Sequence, residues 1–166
     1  ESVTAAITRL QDVAGTLELD VELVNLTGHK LPTAYPSRRL WLHVAVEDGN
    51  GDVIFESGRP GADGRLSIDA GAARTECLAV DKPAGFVNDG CLEPHRDVIH
   101  DPAQVAVYEA VMGDTNGHVN HVLLYADRLL KDNRLPPRGF RRSEAAAGTE
   151  IILGGVPDSD FNVEDA

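Results

Sequence analysis

The chain has 166 residues, a hydrophobic fraction of 42% and a formal net charge of −12. That length suits one domain able to bury a core without metals or extra cross-links. The charge argues against nucleic acid as a partner, since a phosphate backbone would be repelled, and no apolar run approaches the ~20 residues of a membrane-spanning helix.

The opening residues, ESVTAAITRL, lack the basic and apolar regions of a signal peptide, so either a signal has been removed or the chain begins inside a longer polypeptide. Leu17, Leu19, Val21 and Leu23 then alternate with Glu18, Asp20 and Glu22, which predicts a half-buried strand from Thr16 to Asn25. A second strand is expected from Leu40 to Glu47, where Leu40, Leu42, Val44 and Val46 alternate with Trp41, His43 and Glu47. The connection between them can be neither strand nor helix. Thr27-Gly28 signals a turn, and Pro32 and Pro36 each remove a backbone donor. His29 is therefore held on a stiff, irregular connection between two core strands, a common setting for functional groups. Next, Asn50-Gly51 between alternating runs predicts a hairpin with positive φ at both central positions, joining the second strand to a third at Val53 to Glu56. Asp48, Asn50 and Asp52 copy the opening of a calcium-binding EF-hand loop. Val53 stands where its glycine belongs and Arg59 where its bidentate acid belongs, so the hairpin reading prevails.

Beyond the turn-rich stretch Gly58 to Gly64, short strands are expected around Leu66 and Ile68 and from Thr75 to Val80, then a loop from Asp81 to Asp89. The stretch CLEPHRDVIHDP places Glu93, His95, Asp97, His100 and Asp101 within nine residues. Residues 104–112 read two ways. Asp101, Pro102 and Gln104 are helix-starting signals, while Val105, Val107 and Tyr108 favour a strand. Asp114 to Gly117 is a turn. From His118 to Asp132 apolar residues recur at intervals of three and four, predicting one helix with Asn133 as its C-terminal cap and Pro136-Pro137 as its stop. Ser143 to Gly148 is a loop, and Glu150 to Leu153 is a candidate last strand. These elements describe a mainly β chain: an immunoglobulin-like antiparallel β-sandwich with one helix at about 118–132, a single domain over 1–156 and a tail at 157–166. Arg134, Arg138, Arg141 and Arg142 form a basic cluster, either a solvated surface or a seat for a modest anionic partner.

Three blocks in order, GHKLPTAYPSRRLWLHV, DGNGDVIFESG and KDNRLPPRGF, resemble the C-terminal, haem-free domain of a group of bacterial multihaem c-type cytochromes. The resemblance spans Leu17 to Phe140; where that family reads GHKLPTGYP, Ala34 replaces the second glycine. No C-x-x-C-H occurs, so this chain cannot attach a c-type haem covalently. The resemblance implies a non-catalytic β-sandwich that packs against haem-bearing segments or a partner subunit in electron transfer, with haem c held by another segment or chain. It also implies that residues 104–112 are a strand carrying a tyrosine and a glutamate. Finally it implies export to the periplasm or the extracellular space, and therefore a disulfide between Cys77 and Cys91. In a reducing compartment the same two residues would be inert thiols, and their spacing fits no zinc finger.

The six histidines supply the candidate ligands. His43 reads as a strand residue beside Trp41. His29 either ligates iron through Nε2, with its other ring nitrogen donating to a carbonyl, or ties two turns together. His95 and His100, with Glu93, form either a metal or haem-ligand set or a turn built for its own geometry. His118 and His121 sit at helical spacing and could share a metal, or simply line a polar face; Asn120 stands where a catalytic acid would be needed. No nucleophile or nucleotide-binding motif is present, and Trp41 with Tyr35 offers at most a small stacking surface. The alternative to a cytochrome accessory domain is a stand-alone metal- or ligand-binding β-sandwich module built on these histidines and Glu93.

Overall fold

Alternating side chains become strands here wherever a neighbour is available to complete the ladder. The computed structural model describes residues 2–33, 37–64, 66, 93–141, 152–153 and 156–157. Its strands are β1 (Val3–Val13), β2 (Thr16–Asn25), β3 (Arg39–Trp41), β4 (Val44–Glu47), β5 (Val53–Ser57), β6 (Val107–Gly113), β7 (Arg128–Asp132), β8 (Ile152–Leu153) and β9 (Val156–Pro157). All pairings are antiparallel: a β1–β2 ribbon, a β4–β5 hairpin and a sheet ordered β3-β6-β7-β8-β9. The chain is thus mainly β, as its sequence pattern indicates.

β2 has the bounds expected of it, but its partner β1 is hidden in the sequence. The register slips between Ile7 and Arg9, so Thr8 bulges out. That slip returns Leu10 to the side of Val3, Ala5 and Ile7, opposite Leu19, Val21 and Leu23. One face of the ribbon is therefore aliphatic along nearly its whole length. The other carries Arg9, whose guanidinium reaches Asp20 at 2.7 Å and Glu18 at 3.5 Å. Ala14 and Gly15, at φ 53° and 86°, make the two-residue turn.

β6 is an inner strand of the five-stranded sheet, with β3 on one side and β7 on the other. Residues 105–108, which lead into β6 and begin it, alternate between two cores. Val105 and Val107 pack with Leu66 and Trp41. Ala106 and Tyr108 pack with Leu135, against which Val3, Leu23, Leu31, Leu40, Leu42 and Ile99 also lie. The strand reading of residues 104–112 therefore holds from Val107 onward, while residues 104–106 lead into the strand without belonging to it. The helix-starting signals before it are spent on a single turn: Asp101 accepts from the Ala103 N–H at 2.8 Å, and the Gln104 side chain accepts from the His100 N–H at 2.8 Å.

Three expectations need correction. Residues 118–132 form no helix. Val119 bridges back to Gly113, Leu123–Tyr125 make one 3₁₀ turn, and Arg128–Asp132 pair with β6. The helical spacing joined apolar residues of two separate segments; the edge of β6 opposite β3 captured the second as a ladder partner, which outweighs periodicity. The strand from Leu40 to Glu47 is broken at Leu42-His43, because the chain changes partners there from β6 to β5. Gly58, at φ 75°, lets the end of β5 approach the Leu42 carbonyl more closely than any side chain would permit. The β4–β5 hairpin forms, but only Gly51 has positive φ (88°); Asp48 organises the loop by accepting from the N–H groups of Asn50 and Asp52 at 2.8 and 2.9 Å. Cys77, Cys91, Tyr35, Ile68, the strand expected at Thr75 to Val80, the loops at Asp81 to Asp89 and Ser143 to Gly148, and residues 158–166 of the expected tail lie outside the described residues.

Candidate functional site

The His29 connection is built around one side-chain amide. Asn25, at the end of β2, is 2% exposed. Its Nδ2 donates to the His29 carbonyl at 2.7 Å and to the Leu135 carbonyl at 3.0 Å. Its Oδ1 accepts from the Thr27 N–H at 2.9 Å and the Thr27 hydroxyl at 2.7 Å. Every polar atom of the amide is thus used to fold the loop back on itself and onto the Leu135 segment. Leu31 and Leu135 close the contact by exchanging N–H···O bonds of 2.9 and 2.8 Å.

This arrangement fixes the His29 ring. The side chain is exposed, and its Nδ1 lies 3.2 Å from both the Lys30 carbonyl and the Thr27 hydroxyl. A carbonyl only accepts, and the Thr27 hydroxyl spends its single proton on Asn25 or on the His29 carbonyl. A hydrogen bond between the ring and the Lys30 carbonyl therefore has Nδ1 as its donor. Nε2 keeps its lone pair and makes no hydrogen bond among the described residues. An imidazole that donates through Nδ1 keeps a σ-donor lone pair on Nε2, with its tautomer set by the acceptor at Nδ1.

Beneath the loop runs a polar seam inside the β6–β7 pairing. Asp132 receives Lys30 Nζ at 3.0 Å and Arg134 at 2.7 and 2.8 Å. Burial alone would push its carboxyl up; the Arg134 hydrogen bonds and the Arg134 and Lys30 charges outweigh that and hold it below the usual carboxylate range. On the other side of β7, Lys131 is fully buried, at 0% exposure. Its ammonium donates to the Glu93 carbonyl at 2.7 Å, the Val107 carbonyl at 3.2 Å and the Glu109 carboxylate at 2.9 Å. Burial lowers its pKa, with Glu109 opposing the shift. Asn133 donates to the Val107 carbonyl at 2.8 Å and accepts from the Glu109 N–H at 2.9 Å.

The remaining candidates are dispersed. His95 belongs to the seam: Nε2 meets Asp97 at 2.8 Å and Nδ1 meets the Asn133 amide at 3.3 Å, so both nitrogens are engaged within the protein. Its ring lies 6.3 Å from that of Tyr108, whose phenol burial pushes upward. Glu93 is buried and faces Arg96 at 3.4 Å, whereas His100 is exposed. His118 and His121 share no helix face; His118 stands 3.7 Å from Asp114 across the turn. His43 sits at the break after β3, its Nε2 2.8 Å from Glu56. Asp48 turns both carboxylate oxygens onto its own loop. Among the described residues no three His, Cys, Asp or Glu side chains converge as a metal-ligand set, and no helix is long and apolar enough to cross a membrane, which leaves strands out of account.

Sequence reasoning found His29 but missed Asn25, Lys131, Asp132 and Asn133. A Lys-Asp-Asn-Arg run reads as a solvated surface, and nothing in its spacing marks it as a strand whose heads turn inward. Comparison with known proteins finds no family model, no curated protein and no solved structure that matches the chain.

Proposed function

We propose that this chain is a non-catalytic accessory domain of a multihaem c-type cytochrome, an open β-sandwich of immunoglobulin-like kind that packs against haem-bearing segments or a partner subunit and offers His29 as an axial ligand. The observation that carries the reading is the His29 ring, exposed on the connection after β2, its Nδ1 3.2 Å from the Lys30 carbonyl and its Nε2 without a hydrogen bond among the described residues. The haem, held by another segment or chain, would supply the electron-carrying iron. The contribution of this chain is to hold the imidazole in one tautomer and orientation and to keep water from one side of the group. The same reading includes export to the periplasm or cell exterior and a Cys77–Cys91 disulfide.

A second feature supports it. The aliphatic face of the β1–β2 ribbon is rooted in the core through Val3 and Leu23, then runs past it, leaving Ile7 65% and Leu10 63% exposed. Two strands with an uncovered apolar face are marginal alone, and such a face is suited to lie against another apolar body. The stand-alone metal module has less support, because both nitrogens of His95 are engaged, His118 and His121 share no helix face, and no metal-ligand set converges among the described residues.

The test uses a haem c peptide with one open axial position. Adding the chain should convert the iron to a low-spin spectrum, and His29→Ala should abolish the change while His100→Ala leaves it intact. No spectral change with the unaltered chain, or an unchanged response in His29→Ala, refutes the assignment.

A further inference from the structure

The chain carries 27 acidic and 15 basic residues, yet two stretches hold no Asp or Glu: residues 23–46 and residues 133–143. Together they contain seven of the fifteen lysines and arginines. They are far apart in sequence, and the fold puts them side by side. Leu31 pairs with Leu135, and the Arg138 N–H donates to the Asn25 carbonyl at 3.0 Å. Lys30 and Arg134 converge on the same carboxylate, Asp132, at 3.0 and 2.7 Å.

The charges around His29 therefore do not cancel. Lys30, Arg134 and Arg138 bring three positive charges against the single negative charge of Asp132, whose oxygens already receive Arg134 and Lys30. Arg138 is exposed and makes no ion pair among the described residues; the same holds for Arg38 and Arg141, in or beside the same two stretches. An otherwise strongly acidic protein thus presents a local cationic rim beside the exposed His29 imidazole.

We propose that this rim is a carboxylate-binding site that takes the propionates of a porphyrin, an inference that rests on the reading of His29 as an axial ligand and extends it to the rest of the group. Guanidinium matches carboxylate as a two-pronged donor. A small dianion fits the rim better than an acidic protein surface does. It lies within a Debye length of about 8 Å from these arginines, whereas a large acidic partner would also meet the remainder of a chain with net charge −12. A porphyrin brings both parts at once: a metal for Nε2 and carboxylates for the rim.

The decisive probe is metal-free protoporphyrin IX, which has the propionates but nothing for His29 to ligate. Followed by porphyrin fluorescence, it should bind the unaltered chain and His29→Ala alike. Binding should weaken about tenfold or more in Arg138→Glu and again at high salt. The dimethyl ester, with both carboxylates masked, should bind the unaltered protein far more weakly. Equal binding of acid and ester overturns the carboxylate site, as does an Arg138→Glu protein with unchanged circular dichroism and unchanged affinity. The haem c peptide spectrum reports ligation separately: its failure alongside carboxylate-dependent binding of the metal-free porphyrin removes the axial role and leaves the rim standing.

Discussion

Asn25→Ala tests whether one amide holds the His29 connection. The substitution deletes four hydrogen bonds, from Nδ2 to the His29 and Leu135 carbonyls and from the Thr27 N–H and hydroxyl to Oδ1. A net 0.5–1.5 kcal/mol apiece would give roughly 2–6 kcal/mol. The lower half applies, because two acceptors find another donor: the Leu31 N–H still reaches the Leu135 carbonyl, and the Thr27 hydroxyl, released from Oδ1, can give its proton to that of His29. The expected loss is about 2–4 kcal/mol by urea denaturation at neutral pH. Asn25→Asp keeps the acceptor oxygen but turns a buried carboxylate toward two carbonyls. Desolvation and these acceptors raise its folded pKa above the unfolded value of about 4. Its penalty is therefore full above that folded pKa and shrinks as pH falls through it, when the protonated acid can donate to one carbonyl. Nitrogen-15 spectra of His29 should show a protonated Nδ1 in the unaltered chain and exchange between tautomers in Asn25→Ala. A loss below about 1 kcal/mol with unchanged ring nitrogen shifts would show that the loop holds itself without the amide.

Lys131→Met leaves the Glu109 carboxylate buried without its 2.9 Å partner and should destabilise by about 3–5 kcal/mol in urea melts; the double variant Lys131→Met/Glu109→Gln should recover part of that loss. Gly58→Ala sets a Cβ against the Leu42 carbonyl at a positive φ and should abolish cooperative folding or lower the melting temperature by several degrees, about 5 °C or more. Asp132 is held below its ordinary pKa, so its contribution is complete above the unfolded value of about 4 and fades as pH falls through the folded one. Asp132→Asn should be less stable at neutral pH and should show a shallower fall in stability between about pH 4 and pH 2. Leu10→Asp lies on the exposed part of the ribbon and should change stability by only about 0.5 kcal/mol while weakening pull-down of a haem-bearing partner.

Legibility in the sequence followed the rules that each residue obeyed. β2 could be read to its ends because its apolar positions keep period two from Leu17 to Leu23. β1 could not, because the Thr8 bulge shifts the parity midway. The β4–β5 hairpin was legible from Asn50-Gly51, though Asp48 chose the turn geometry. His29 stood out because two prolines and a glycine left it no regular structure to join.

The polar seam failed to appear for a different reason. Charge in a sequence is read as solvent exposure, since an isolated buried ion is expensive. Lys131 and Asp132 escape that rule in opposite directions: one turns to Glu109 and two backbone carbonyls, the other to Lys30 and Arg134. All but Arg134 of these partners are at least 22 residues away in the chain, so the compensation exists only after β6 and β7 have paired. The same long-range closure, Leu31 on Leu135, brings two unremarkable acid-free stretches together beside His29. If the rim and the ring act together, substituting Leu135 by a residue that weakens this closure, such as Asp, should loosen the His29 tautomer and reduce metal-free porphyrin binding in the same variant. Loss of one without the other would show that the two are neighbours only by accident of the fold.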